Sequence, residues 1–119
     1  MTNQSTPIIN HFVAVIKSQQ FNNSIDKVDE VAQSIVGDMD LNVVKKFNHM
    51  FFPQGITLVY ILSESHLVIH TWPESGLIHV DLVTCSPRSE KEFESSLKYA
   101  FVDYNPTSIE VKTVDFDKL

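Results

Sequence analysis

Between Ile56 and Thr84 the chain carries three apolar, β-branched runs joined by links too short for anything but hairpins. Ile56 to Leu62, Leu67 to Trp72 and Leu77 to Thr84 must lie side by side and run antiparallel, because a parallel pair needs a crossover of about a dozen residues or more. Pro73 to Gly76 makes one of the turns. The rest of the chain has to fit around this meander. Upstream, His11 to Ile16 reads as a short buried strand, and Gln19 to Asn23 as a loop. Asn23 or Ser24 can cap a helix whose apolar face is Ile25, Val28, Val31, Ala32, Ile35 and Val36. Gly37 is expected to end it in the left-handed conformation that glycine tolerates. Leu41 to Phe47 reads as a second strand, and Pro53-Gln54-Gly55 as a turn. Downstream, Ser89 and Glu92 have the spacing of a capping box. Phe93, Leu97, Ala100, Phe101 and Tyr104 form the stripe of a second helix, stopped by Asn105-Pro106. Ile109, Val111 and Thr113 alternate as a last strand. Met1 to Pro7 and Asp115 to Leu119 read as tails.

The order strand, helix, four strands, helix, strand defines an α+β fold. A mainly antiparallel sheet carries both helices on one face, a two-layer sandwich. The strands show little clean alternation of apolar and polar residues, so the other face also calls for a cover, and a second copy of the chain would supply one. The 119 residues make a single domain, 1–119, with a core of modest size. A net charge of −6 leaves no basic face for nucleic acid. The single Cys excludes an intrachain disulfide framework and fits a reducing cytoplasm. No apolar run approaches the ~20 residues of a membrane helix, and the first residues lack a signal-peptide pattern. A cytoplasmic protein without membrane or nucleic-acid partners is expected.

The run Ser63-Glu64-Ser65-His66-Leu67-Val68-Ile69-His70-Thr71-Trp72-Pro73-Glu74 is unusually polar for a segment beside long apolar strands. Polar atoms taken out of water must be paired, so such a run is either costly or useful. Spacing alone favours a Ser65 that opens a strand and bonds to backbone. His70 can be a core histidine or a proton shuttle. No metal site is expected: His66 and His70 lie four apart, but Leu67 stands where the zinc-helix pattern has Glu, and the stretch reads as strand. Cys85 can be a buried small hydrophobe or an acid within reach of neutral pH. Phe51 can be core and Glu74 a solvated turn residue. Strand alternation sets Ser65 and His70 on opposite faces, so one copy can hardly bring both to one site, whereas two copies can.

Glu64-Ser65-His66-Leu67, Ile69-His70-Thr71-Trp72-Pro73-Glu74 and Thr84-Cys85 together resemble the self-cleaving segment of the small prokaryotic S-adenosylmethionine decarboxylases, and this match of the whole stretch reverses the reading of Ser65. The resemblance implies attack by the Ser65 hydroxyl on the Glu64 carbonyl carbon, giving an ester. β-Elimination then yields chains 1–64 and 65–119, and loss of ammonia leaves a pyruvoyl cofactor derived from Ser65. By the same resemblance His70 is the proton acceptor in cleavage and Thr57 keeps a hydroxyl that assists it. Cys85 is the general acid of decarboxylation. Phe51 stacks on adenine and Glu74 binds the ribose hydroxyls. The cofactor captures the substrate amine as a Schiff base and draws electrons from the departing carboxylate. The implied function is decarboxylation of S-adenosylmethionine to the aminopropyl donor for polyamine synthesis, in a homodimer with its active sites at the protomer interface. The sequence departs from the family pattern at Thr57-Leu58, where a small residue is usual in place of Leu58, and at Ser86, where Gly is usual. Two other readings stand beside this one: a pyruvoyl-dependent decarboxylase of arginine or ornithine, and an uncleaved, non-catalytic regulatory homologue.

Overall fold

The computed structural model describes residues 8–19 and 23–115. The tails expected at Met1–Pro7 and beyond Asp115, and most of the Gln19–Asn23 loop, lie outside the described residues. Six strands and two helices follow in the order β1 (Asn10–Lys17), α1 (Ile25–Asp38), β2 (Val43–Met50), β3 (Ile56–Leu62), β4 (Ser65–Trp72), β5 (Leu77–Thr84), α2 (Glu90–Ala100) and β6 (Ser108–Thr113). All strands pair antiparallel in one sheet of order β2-β3-β4-β5-β1-β6. Both helices pack against each other and against this sheet. No described helix is long and apolar enough to cross a membrane.

The meander fixes which side chains meet. Leu58, Ile69, Val80 and Ala14 form one row across four strands, and Tyr60, Leu67, Leu82 and Phe12 form the next. All eight are buried beneath the helices with Val31, Ile35, Phe93 and Leu97. On the opposite face the rows are Thr57–His70–His79–Val15 and Val59–Val68–Asp81–Val13. Burial therefore alternates along β1, β4 and β5. The sequence conceals this because valines share the open face with its histidines and charged residues. Nothing within the described chain covers that face, and its side chains stay partly exposed.

The helix starts follow short-range chemistry. The Ser24 side chain accepts from the Lys27 N–H and caps α1, and the Ser89/Glu92 box closes in both directions at α2. The end of α1 differs from expectation. Gly37 is helical, and the left-handed residue is Asp40, φ 55°. The Asp40 N–H donates to the Gly37 carbonyl and the Leu41 N–H to the Val36 carbonyl, at 3.3 and 2.8 Å. That pairing is a Schellman closure, with Asp in the place where Gly is usual. It engages Leu41, which is buried, in ending the helix. The second strand consequently begins at Val43 and continues to Met50 instead of spanning Leu41 to Phe47.

Gly76 does need its special backbone. Its φ is 59°, and a Cβ there would lie 2.5 Å from the Ser18 carbonyl oxygen. The Ser18 N–H in turn donates to Gly76 O at 2.9 Å, tying the β4–β5 turn to the end of β1. Gly76→Ala should therefore lower the unfolding free energy by about 2 kcal/mol or more. Gly37→Ala, in a helix with open space around the new methyl, should raise it by about 0.5–1 kcal/mol. Urea denaturation of the two variants checks both signs.

Candidate active site

The predicted residues gather at two places, near opposite ends of β4. The first is the β3–β4 hairpin. The Glu64 carbonyl, the one a Ser65 hydroxyl would attack, accepts the Cys85 backbone N–H at 3.0 Å. This bond polarises the carbonyl and supplies a donor for an oxyanion forming there. Ser65 has φ 134°, a conformation strained for a residue with a Cβ. Its pairing with Leu62 and Thr84 puts it in a buried-face row. Its Oγ nonetheless lies 3.4 Å from Nδ1 of His66, the next residue. Cys85 is a free, exposed thiol at the end of β5, so the buried, inert reading of this residue does not hold.

The second place is a groove of about 460 Å³ between the 51–55 loop, β3, β4 and the turn after β4. Phe51, Thr57, His70, Trp72 and Glu74 line it. Four residues predicted from sequence thus share one cleft. Thr57 Oγ1 and His70 Nδ1 lie 2.9 Å apart, a hydrogen bond whose direction is set by the imidazole tautomer. Phe51 is half exposed, its ring edge-on to His49 with centroids 4.5 Å apart. The Phe51 N–H donates to Gly55 O at 2.8 Å. Gly55, φ 112°, closes the loop against the Thr71 carbonyl, 3.3 Å from where a Cβ would sit. Thr71 is buried support for this groove: its hydroxyl accepts from the Ile56 N–H and donates to Asn23 Oδ1, both at 2.8 Å. Leu58 faces the core and leaves the groove's shape untouched.

His70 meets His79 across the ladder, with ring centroids 6.0 Å apart. Burial holds the His70 pKa below its usual value, the His79 charge adds to this, and Asp81 pulls weakly the other way. A neutral imidazole is the form able to accept a proton. His70 lies five residues along β4 from Ser65, about 17 Å in extended chain, and its row faces the open side of the sheet. One chain does not bring the two together.

Residues missed from sequence include His79, which the alternation of β5 could have flagged as a neighbour of His70. Arg88 was missed because its partners at the end of α1 lie 48 and 49 positions away, and Ser86, seen in the sequence only as a departure from the family pattern, gains its role from Glu64, 22 positions away.

The single antiparallel sheet backed by two helices matches the fold of a solved decarboxylase. The crystal structure of the adenosylmethionine decarboxylase from Aquifex aeolicus superimposes with a TM-score of 0.75 at 26% identity, covering 92% of this chain and 91% of that one. A profile of the S-adenosylmethionine decarboxylase family matches residues 13–117. The S-adenosylmethionine decarboxylase proenzyme of Persephonella marina is 33% identical over 88% of this chain and 79% of its own length. That of Pelotomaculum thermopropionicum is 40% identical over 66% of this chain and 64% of its own length. The chain belongs to the S-adenosylmethionine decarboxylase family.

The His70 environment makes a direct prediction. An NMR titration of its ring should give a midpoint below 6.5, and His79→Ala should move that midpoint up. Because the folded pKa is depressed, the corresponding stability is present in full above 6.5 and is lost as pH falls through the folded value. A midpoint at or above 6.5, or one indifferent to His79→Ala, contradicts this account.

Proposed function

We propose that the chain is a proenzyme that cuts itself between Glu64 and Ser65 and, as chains 1–64 and 65–119, decarboxylates S-adenosylmethionine in a homodimer. The observation that carries the processing step is the Glu64 carbonyl, held by the Cys85 N–H and followed by a strained Ser65. Attack by Ser65 Oγ on this carbonyl carbon forms an ester as the Glu64–Ser65 C–N bond breaks. Removal of the Ser65 Cα proton then expels the Glu64 carboxylate. Hydrolysis of the dehydroalanine that remains releases ammonia and leaves the pyruvoyl group. The residues fit this group: it arises from Ser65 itself, beside an accessible thiol. Once formed, it supplies an electron sink for loss of carbon dioxide.

The remaining roles belong to side chains. His70, kept neutral and bonded to Thr57, accepts a proton during cleavage. Phe51 offers a ring face to adenine and Glu74 a carboxylate to the ribose hydroxyls. The Cys85 thiol returns a proton to the substrate carbon. Both adenosyl-binding candidates line the groove, which favours S-adenosylmethionine over arginine or ornithine. Of the Thr57-Leu58 pair that would favour a non-catalytic reading, Leu58 lies in the core and Thr57 keeps its hydroxyl on His70, which supports the catalytic reading over it. Because Ser65 and His70 stand near opposite ends of β4, a complete site needs the Ser65 end of one copy against the His70 groove of another. A two-fold pairing of open sheet faces supplies two such sites.

Intact mass of purified protein should show two peptides, the smaller lacking a free N-terminal amine, and labelled carbon dioxide should come from S-adenosylmethionine much faster than from arginine or ornithine. Ser65→Ala should remain one chain. A wild-type protein that stays a single species on warming removes the proenzyme reading.

The shared site has its own test. Ser65→Ala and His70→Ala homodimers each have both sites broken and should stay uncut. Mixed dimers hold one complete site, so co-expression should restore about a quarter of wild-type activity under random pairing. The cut should fall only in the His70→Ala chain, which still carries Ser65. Mixed dimers verified by two-tag pull-down that show neither cutting nor activity would place both residues in a site within one chain.

A further inference from the structure

The corner beside the scissile bond contains a cation that the mechanism above does not use. Arg88 is anchored on both sides of its guanidinium. Nε donates to the Met39 carbonyl at 2.9 Å and Nη2 to the Asp40 carbonyl at 3.0 Å, both at the end of α1. Nη1 donates to Ser86 Oγ at 2.7 Å and to the Pro87 carbonyl at 2.9 Å. The Ser86 hydroxyl in turn donates a hydrogen bond to Glu64 Oε1. Nη2 lies 3.8 Å from that same oxygen. Ser86 is itself fixed, its carbonyl accepting from Asn10 Nδ2 at 2.8 Å and from Thr84 Oγ1 at 3.1 Å. The side chains of Arg88 and Glu64 are 15% and 25% exposed.

We propose that Arg88 and Ser86 form a clamp on the Glu64 carboxylate that positions the Glu64–Ser65 carbonyl for self-cleavage. The inference rests on the self-cleavage reading and names two positioning residues for it. Glu64 is gripped at two points, its carbonyl by the Cys85 N–H and its side chain by the clamp, and the two grips come from neighbouring residues of the same segment, Cys85 and Ser86. Between them they leave the Glu64 backbone little freedom to rotate. Ser65 follows at φ 134°, a conformation that persists only where its surroundings hold it. An exposed ion pair would contribute little. Here the guanidinium is pre-oriented by the two carbonyls that follow α1, those of Met39 and Asp40, and a hydroxyl bridges it to the carboxylate, so the contact is charge-assisted and directional. Displacing the scissile carbonyl by about 1 Å from the attacking oxygen can cost on the order of a hundredfold in rate.

The test follows conversion of newly synthesised precursor into two chains by timed intact-mass measurement. Arg88→Met, Ser86→Ala and Glu64→Ala should each slow cutting about tenfold or more. The double variant Glu64→Ala/Arg88→Met should be no slower than its slower parent, since both changes break the same grip, whereas independent effects would multiply. Arg88→Lys, which keeps the charge but not the fork, should fall between wild type and Arg88→Met. Melting of the same substitutions in an uncut Ser65→Ala chain shows which ones fold. Should Arg88→Met fail to fold, Ser86→Ala decides, because it leaves the bonds from Arg88 to Met39 and Asp40 in place. A Ser86→Ala chain that cuts at wild-type rate, or single effects that multiply in the double variant, overturns the clamp while wild-type cutting keeps the proenzyme reading. A wild-type chain that never cuts overturns both.

Discussion

The register of β4 between β3 and β5 is the constraint on which the rest depends. Side chains alternate with a period of two, so a slip of one residue would carry His66, Val68 and His70 into the core and put Leu67, Ile69 and Thr71 on the open face. Two histidines would then sit unpaired under the helices, at a cost far above that of an exposed leucine. The observed register avoids this, and hydrogen bonds at both ends lock it. Thr71 holds the first N–H of β3 and reaches Asn23, while the Cys85 N–H holds the Glu64 carbonyl at the hairpin.

The polar run along β4 therefore divides between two tasks. Thr71 and the Glu64 side chain are support: one pins the groove loop through Ile56, the other joins the hairpin to the end of α1 through Ser86 and Arg88. Ser65 and His70 are the reactive candidates, and each is set by its support. Gly55 and Gly76 complete the frame, because both backbones lie where a Cβ would crowd a carbonyl of another segment. On the proposed reading the reactive groups lie toward strand ends and turns, and the middle of the sheet spaces them.

The same spacing explains why the open face carries apolar residues. Val13, Val59, Val68 and Val83 alternate there with His66, His70, His79 and Asp81. A solvent-facing sheet surface has no need of that many valines. On the proposed reading, a second copy covers the valines and brings its own Ser65 end to the His70 groove, so the surface that drives pairing also completes the site.

Several features were fixed by sequence alone because they depend on neighbours a few residues apart. The order of elements, a cap at Asn23 or Ser24, the Ser89/Glu92 box and the bounds of β3 and β5 follow from periodicity, capping chemistry and link length, whereas β4 starts at Ser65, two residues before the Leu67 expected. The match of the Glu64–Glu74 stretch pointed to the family and to four residues that the groove gathers: Phe51, Thr57, His70 and Glu74. Other features were decided by tertiary structure. Asp40 took the left-handed position expected of Gly37, because the closing hydrogen bonds select the site and bury Leu41 behind them. The clean alternation of the sheet emerged only when pairing showed which valines face out. Arg88, Ser86 and His79 acquired meaning from partners brought across the sheet or from the far end of a helix. Such contacts are set by register and packing between distant segments, and no local pattern of residues encodes them.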